Sequence, residues 1–377
     1  MNAPLDGLVV VAVEQAIAIP FATRQLADLG ATVLKVERPG TGDFARHYDS
    51  NVAGQSAFFV WANRGKHSIE IDIKRDRERV EALIRGADVY MQNISPDAAR
   101  RAELDAEAVR SRYPHLVTCE VSGYGEGGPR SSDRAYDLAI QAEAGVFDVC
   151  GEGEMRAKVG FSVADIAAGM YALSGVLAAL VRRERTGEGA VVKVSMLEAL
   201  AEWLSAPLLS ARALGASPAP TARRHFAIAP YGTFRLSDGS EVLIAIQNEA
   251  EWARMCTSVL ADPLLVEDPR FVTNDRRIAN VDELERLILE TFAAVPASEI
   301  RDRLRQADLA IASVNTLADV WSHEQLRARG RFVDTSLPGG STVETLMSPF
   351  DIDGLEQGPS WVPAVGEDRR PGPHRAP

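Results

Sequence analysis

One carboxylate stands out as a group that could do chemistry. From Val163 to Val181 the sequence carries a single charge, Asp165, near the start of an apolar run. The spacing Ser162-x-x-Asp165 resembles a helix capping box, and Asp165 could itself cap a helix beginning at Ile166. A second reading uses the same position. A carboxylate in the first turn of a helix feels the positive end of the dipole and is expected to stay ionised. Ala164, Ala167, Ala168 and Gly169 leave space around it, and an ionised, uncrowded carboxylate can serve as a covalent nucleophile.

Other chemistries lack their residues. There is no GxxxxGK[ST] loop to cradle a nucleotide triphosphate and no GxSxG elbow. Cys119, Cys150 and Cys256 lie far apart, without a CxxC or Cys/His cluster. That spacing argues against a zinc site and a disulfide framework, so a reducing cytoplasm is expected. His47, His67, His115 and His323 sit in polar stretches that suit surface or capping roles.

The elements that must position Asp165 follow from periodicity. "LVVVAVE" (Leu8–Glu14) reads as a buried parallel strand. Pro20 opens a helical pattern that stops at Gly30, and "ATVLKVE" (Ala31–Glu37) is a second strand. The alternation continues with strand "HSIEIDI", helix Arg75–Arg85, strand "DVYMQNI", helix Ala106–Arg112 and strand "LVTCEVSGY". Such alternation implies right-handed crossovers and a Rossmann-like α/β domain with a parallel sheet. The first βα turn, "EQAIAIPFAT", has no glycine, so a dinucleotide fingerprint is missing. Glu37 at the end of the second strand is expected to be solvated or paired with Arg38.

The chain boundaries suggest residues 1–212 as the first part of a large domain and 225–315 as a smaller α+β domain. Residues 316–377 then return to complete the large one. "ALGASPAPTARR" (Ala213–Arg224) reads as the linker, and "YGTFRL–SDGS–EVLIAI" as a hairpin with an Asp-Gly turn. Helices are expected at Glu249–Leu260, Val281–Ala294 and Ala297–Gln306, a β-rich stretch near the end, and a frayed tail "GEDRRPGPHRAP".

The 377 residues are 46% hydrophobic and 25% charged, with a formal net charge of −12. This disfavours nucleic acid and anionic membrane as partners. The first 101 residues hold thirteen basic and thirteen acidic side chains, so the N-terminal quarter is the least repulsive place for an anion. The N-terminus has no basic n-region, and no signal peptide is expected. The apolar run around Asp165 is long enough to span a membrane, but its Ala/Gly content and its acid favour a helix buried within the protein.

These motifs resemble a known family. "PLDGLVVVAVEQAIAIPFATRQLADLGATVLKVERPGTGD", "NRGKHSIEIDIK", "ADVYMQNISPDAARR", "VSGYGEGGP", "YDLAIQAEAGV", "VADIAAGMYALSGVLAAL" and "RRERTGEGAVVKVSMLEAL" together look like class III CoA-transferases, the formyl-CoA:oxalate and carnitine type. The resemblance implies that Asp165 is the nucleophile and carries aspartyl anhydride and aspartyl-CoA thioester intermediates. It implies coenzyme A and acyl-CoA as substrates with no tightly bound cofactor or metal, and a carboxylic acid as acceptor. Carried over residue by residue, Arg38, Asp72, Lys74, Asn93, Arg101, Gly123 and Tyr124 would border CoA, with Ala18 beside the reactive end. Glu126 matches an active-site acid of some members. It also implies ring-like monomers in an interlocked homodimer.

The sibling branch, the α-methylacyl-CoA racemases, is the functional rival. It uses a histidine where this chain has Tyr136, whose ordinary pKa of ~10 makes a poor base at neutral pH. Tyr136 and Asp137 are therefore expected to hold the loop in place. A catalytically inactive CoA-binding scaffold is disfavoured by the intact Asp165. The family's glycine-rich loop is replaced by "HFAIAPYGTFRLSDG". Arg224, His225 and Tyr231, with Arg223, are candidates there for holding a second carboxylate of a C4–C5 dicarboxylate acceptor.

Overall fold

The computed structural model describes residues 3–355, 358 and 360–370. It divides into a large unit (residues up to 146, 158–208 and from 325 on) and a small unit (147–157 and 209–324). In the large unit, six strands form one parallel sheet: β1 (Val9–Val13), β2 (Thr32–Glu37), β3 (His67–Glu70), β4 (Val89–Gln92), β5 (Val117–Ser122) and β6 (Ala190–Ser195). Their spatial order is 3-2-1-4-5-6, that of a doubly wound sheet. The central strands are almost wholly apolar, VVVAV in β1 and VYMQ in β4, because crossover helices cover both faces and leave no solvated side. Val11, Val33 and Val89 are fully buried.

Crossovers are made by α1 (Ala18–Asp28), α2 (Ala57–Asn63), α3 (Arg77–Arg85), α4 (Pro96–Ala102) and α5 (Ala106–Arg112). α6 (Asp137–Glu143), the 24-residue α7 (Val163–Thr186) and α8 (Met196–Trp203) follow. Helices α2, α4 and α6 are short pieces that the apolar periodicity did not reveal. α3 begins two residues later than expected, because Asp76 caps it by accepting from the Arg79 N–H.

Helix α7 is long and apolar enough to cross a membrane, and it packs inside the unit. Its Ala164, Ala167, Ala168, Ala172 and Val176 face is buried. Gly169 makes the packing on α1 close: a Cβ there would lie 2.6 Å from the Ala18 carbonyl oxygen and 2.9 Å from the Phe21 ring. One α7 turn after Asp165, that contact brings the start of α1 against the start of α7.

An antiparallel hairpin, β10 (Phe332–Ser336) with β11 (Thr342–Leu346), returns to the large unit, where Arg64 donates to the Leu346 carbonyl at 2.9 Å. The tail departs from expectation. Ser68 N–H donates to the Glu367 carbonyl and Gly366 N–H to the Ser68 hydroxyl, so residues 366–370 dock beside β3. Residues 371–377 lie outside the described residues.

The small unit has the expected hairpin, β7 (Tyr231–Arg235) with β8 (Glu241–Ala245), and a third strand, β9 (Ala310–Ser313), against β8. Its core gathers Phe234, Ile244, Trp252, Phe271, Ile288 and Phe292. Helices Val281–Ala294 and Ala297–Gln306 form as expected, whereas the helix from Glu249 ends at Arg254 and continues as wider π-helical turns over Met255–Val259. Segment 147–157 contributes a two-residue hairpin, Gly151–Glu152 with Met155–Arg156.

Gly169→Val forces branched carbons against a backbone carbonyl, and overpacking of this kind costs about 1–3 kcal/mol. Thermal unfolding should show a lower Tm than for Gly175→Ala, where the obstacle is a Val192 side-chain methyl. Equal shifts for the two variants would contradict the α1–α7 contact as described.

Candidate active site

Between β1 and β4 the order of the sheet reverses, and the loops leaving their carboxyl ends diverge to open a crevice. A cleft of about 1170 Å³ fills it, lined by residues following β1, β2, β3, β4 and β5 and by the start of α7. Asn93 closes the crevice floor: its Oδ1 accepts from Gln15 N–H at 2.9 Å and its Nδ2 donates to the Gln15 carbonyl at 2.8 Å. The side-chain amide thus replaces the backbone pairing that β1 and β4 lose where they separate.

Below this edge lies a buried ionic cluster. Glu14, just past β1, accepts from Thr23 Oγ1 (2.6 Å), Lys66 Nζ (2.7 Å) and Lys35 Nζ (3.3 Å). Lys35 also donates to Asp43 at 2.8 Å, and Lys66 to the Pro20 carbonyl and Asn63 Oδ1. Glu37 accepts from Arg46 and from Asp43 N–H. Its partner is therefore Arg46, not Arg38 or water, because β2 carries it inward under the loop. Arg46 and Lys35 hold the Glu37 carboxyl at about 2, against the opposing effect of burial. Burial pushes the Lys66 ammonium down to about 7 despite Glu14. Asp43 finally accepts from the N–H of Ala16 at 3.1 Å. Ala16 has φ +58°, a left-handed conformation costing roughly 1–2 kcal/mol for a non-glycine residue, and that bond helps to hold it.

Asp165 is on the cleft wall, half-buried, in the first turn of α7. The capping box does not form: Ser162 makes no side-chain capping bond. Asp137 of α6 supplies the cap instead, its Oδ1 accepting from Ala164 N–H (2.7 Å) and Asp165 N–H (3.4 Å). Gln141 holds the other oxygen at 2.7 Å. This arrangement reverses the expected electrostatics. Burial, and then the neighbouring Asp137 carboxylate, push the Asp165 carboxyl up to about 7. The helix end does not keep it firmly ionised, because the dipole is already answered by Asp137. Tyr48, also on the cleft wall, is raised to about 12 by burial and by the charges of Asp43, Asp165 and Tyr136.

The sequence-derived positions divide by location. Ala18, Arg38, Asp72, Lys74, Asn93 and Gly123 line the same cleft as Asp165. Arg38 is exposed, with Gln15 Oε1 at 3.4 Å, and Asp72 accepts from Lys74 N–H. Gly123 is required by close approach, since a Cβ would lie 2.1 Å from that of Ala135. Arg101, Tyr124 and Glu126 are not part of the cleft lining. Arg101 is exposed on α4, Tyr124 stacks under Arg130, and Glu126 pairs with Lys193 at 2.5 Å. In the small unit Arg224 bonds Asp282 (2.8 Å) and Glu285 (3.3 Å), and His225 stacks with Phe226 and Tyr231. Sequence reasoning missed Glu14, Lys35, Asp43 and Lys66. A lysine inside the apolar strand "ATVLKVE" was the available signal.

The family model for CoA-transferase family III matches residues 5–369. The chain belongs to that family. It is 33% identical to the acetyl-CoA:oxalate CoA-transferase of Acetobacter aceti, over 89% of this chain and 88% of that protein. It is 29% identical to the succinate–glutarate CoA-transferase of Agrobacterium fabrum, over 92% and 89%. Among solved structures it resembles a CAIB/BAIF family protein from Brucella suis, with a TM-score of 0.82, 32% identity and 97% of each chain covered. As a family III CoA-transferase it is an acyl-CoA:carboxylate CoA-transferase, with CoA thioesters as substrates.

Two measurements follow for this transferase. Lys66→Met leaves Glu14 with one ammonium fewer in a buried site, and breaking such a pair costs about 3–5 kcal/mol. Denaturant unfolding should show that loss, whereas the exposed Lys74→Met should change little. In the free enzyme, kcat/KM should rise with pH through about 7 as the Asp165 carboxyl ionises. Asp137→Asn removes the repelling charge, so this limb should move to lower pH. A limb that stays in place in the variant would exclude Asp137 as a cause of the shift.

Proposed function

We propose that this enzyme moves CoA from an acyl-CoA thioester to a C4–C5 dicarboxylate through covalent intermediates on Asp165. The observation that carries the reading is the Asp165 carboxylate on the wall of a cleft that also holds Arg38, Lys74 and Asn93. The Asp165 oxygen attacks the donor thioester carbonyl, the C–S bond breaks, and CoA thiolate leaves a mixed anhydride. The thiolate then attacks the aspartyl carbonyl, expelling the donor acid and forming an aspartyl-CoA thioester. The acceptor carboxylate attacks that thioester, giving a second anhydride and thiolate. Attack of the thiolate on the acceptor's carbonyl yields the new acyl-CoA and restores Asp165. Each step exchanges one activated acyl group for another, so no ATP is consumed.

A raised nucleophile pKa suits this sequence. A carboxylate poorly solvated when ionised gains more on acylation than one stabilised by many donors. Arg38, after β2, would meet the phosphates of CoA and Lys74, after β3, would border its adenosine, with the thiol reaching Ala18 and Asp165. A dicarboxylate acceptor is supported by the oxalate, succinate and glutarate in the relatives' names. No histidine is part of the cleft lining, which leaves racemase-type proton abstraction without its base.

The test is an exchange panel of acyl-CoA donors and carboxylate acceptors. Asp165→Ala should abolish transfer, by at least about a thousandfold for a lost nucleophile. With acceptor carboxylate labelled in both oxygens with ¹⁸O, the Asp165 peptide should gain one heavy oxygen in a single turnover. Transfer that persists in the variant, or a peptide that stays light, would sink the mechanism.

A further inference from the structure

Strand β3 lies at the edge of the six-stranded sheet, and the C-terminal tail covers it. The Ser68 N–H donates to the Glu367 carbonyl at 3.0 Å. The Ser68 hydroxyl accepts from the Gly366 N–H at 3.0 Å and donates to Glu37. Earlier in the tail, the Pro363 carbonyl accepts from Arg46 at 3.0 Å, and the same guanidinium holds Glu37. Tail, Ser68, Glu37 and Arg46 thus close a ring of hydrogen bonds. Further along, the Arg369 N–H donates to His67 Nδ1 at 3.1 Å, and its guanidinium lies over the Trp361 ring. Backbone pairing alone would cover the edge. The side-chain ties reach further, into the loop that follows β2.

That loop, residues 38–43, lines the cleft and carries Arg38. Two of its N–H groups are held by acids that the tail backs. Asp43 N–H donates to Glu37 at 2.8 Å, and Gly40 N–H donates to Glu70 at 2.6 Å. Glu37 is fastened from behind by Ser68 and Arg46. Glu70 is backed by Gly366, where a Cβ would lie 2.6 Å from its carboxylate and where φ is +75°, so only glycine fits. Asp43 carries the restraint one step on, accepting from Ala16 N–H in the turn that enters α1. The Arg38 side chain, by contrast, reaches only Gln15 among the described residues, at 3.4 Å. Its backbone therefore decides where its charge stands.

We propose that the C-terminal strap is a working part of the acyl-CoA site, with Ser68 the positioning residue that ties it through Glu37 to the loop bearing Arg38. This rests on the placement of CoA at Arg38 given above. Ser68 is fully buried and meets no substrate; it acts through the loop. The strap supplies preorganisation: a loop already held in its binding conformation loses less freedom when the phosphates arrive.

The dissociation constant for free CoA, titrated by calorimetry on the enzyme, reads this directly. The variants are Ser68→Ala, a chain ending at Val365, and the two combined. Each single change should weaken CoA about 2- to 10-fold, the net effect of one hydrogen bond, while KM for the acceptor moves less. The combination should weaken CoA by less than the product of the two, because both act through one path. Ser68→Ala keeps the whole chain and stands as the test if the shortened one does not fold. A strap that only stabilises the fold would lower Tm and the fraction of binding-competent enzyme, with the CoA dissociation constant unmoved. That result, or single effects that multiply in the combination, would overturn the proposal. Arg38→Gln separates it from the placement of CoA. CoA binding unchanged in Arg38→Gln would remove both; binding weakened there but not in Ser68→Ala would remove the strap alone.

Discussion

The site rests on a largely buried charge cluster. Lys35, Lys66 and Arg46 face Glu14, Glu37 and Asp43, three cations against three carboxylates, in contact beneath the carboxyl edge of the sheet. Each of these groups alone would be costly to bury; together, their attraction and hydrogen bonds offset much of the lost hydration, least at Lys66, whose ammonium burial still pushes down to about 7. The cluster joins β1, β2, the start of α1 and the turns before α2 and β3, so the loops around the cleft share one anchor. It also reaches the backbone of Ala16, whose left-handed conformation sets the path of the chain from β1 into α1.

The second constraint concerns Asp165. A helix start ordinarily stabilises an ionised side chain in its first turn. Here another carboxylate already occupies the free N–H groups, and Asp165 is left with the repulsion. Asp137 therefore acts twice, fixing where the Asp165 backbone stands and raising the energy of its ionised side chain. Gly169 completes the arrangement by letting α1 approach within one turn of the carboxylate. Position and protonation come from the same few contacts, which makes the site sensitive to small packing changes.

Much of the frame was legible in the residues. The strand–helix alternation up to Ser122 predicts a parallel sheet, and β1 to β5 form within a few residues of their expected bounds. Length decides where expectation and structure differ. "HSIEIDI" and "DVYMQNI" form strands of four residues, because their last residues turn away into the cleft wall. Helices α2, α4 and α6, of seven residues each, show no amphipathic pattern in the sequence, whereas α5, equally short, forms at its expected bounds. The tail's charged sequence suggests fraying, yet its backbone finds Ser68.

Sequence alone singled out Asp165, because an acid in an apolar run is rare on energetic grounds. It also supplied the family's motifs and with them CoA as the substrate. Only the tertiary structure decided which groups surround that acid. Asp137 lies 28 positions away in the chain and Lys66 lies 52 from Glu14, and both contacts form only once the sheet is assembled. Local pattern reports what one element prefers. The protonation of Asp165 depends on which distant side chains are already paired, and that is settled by packing.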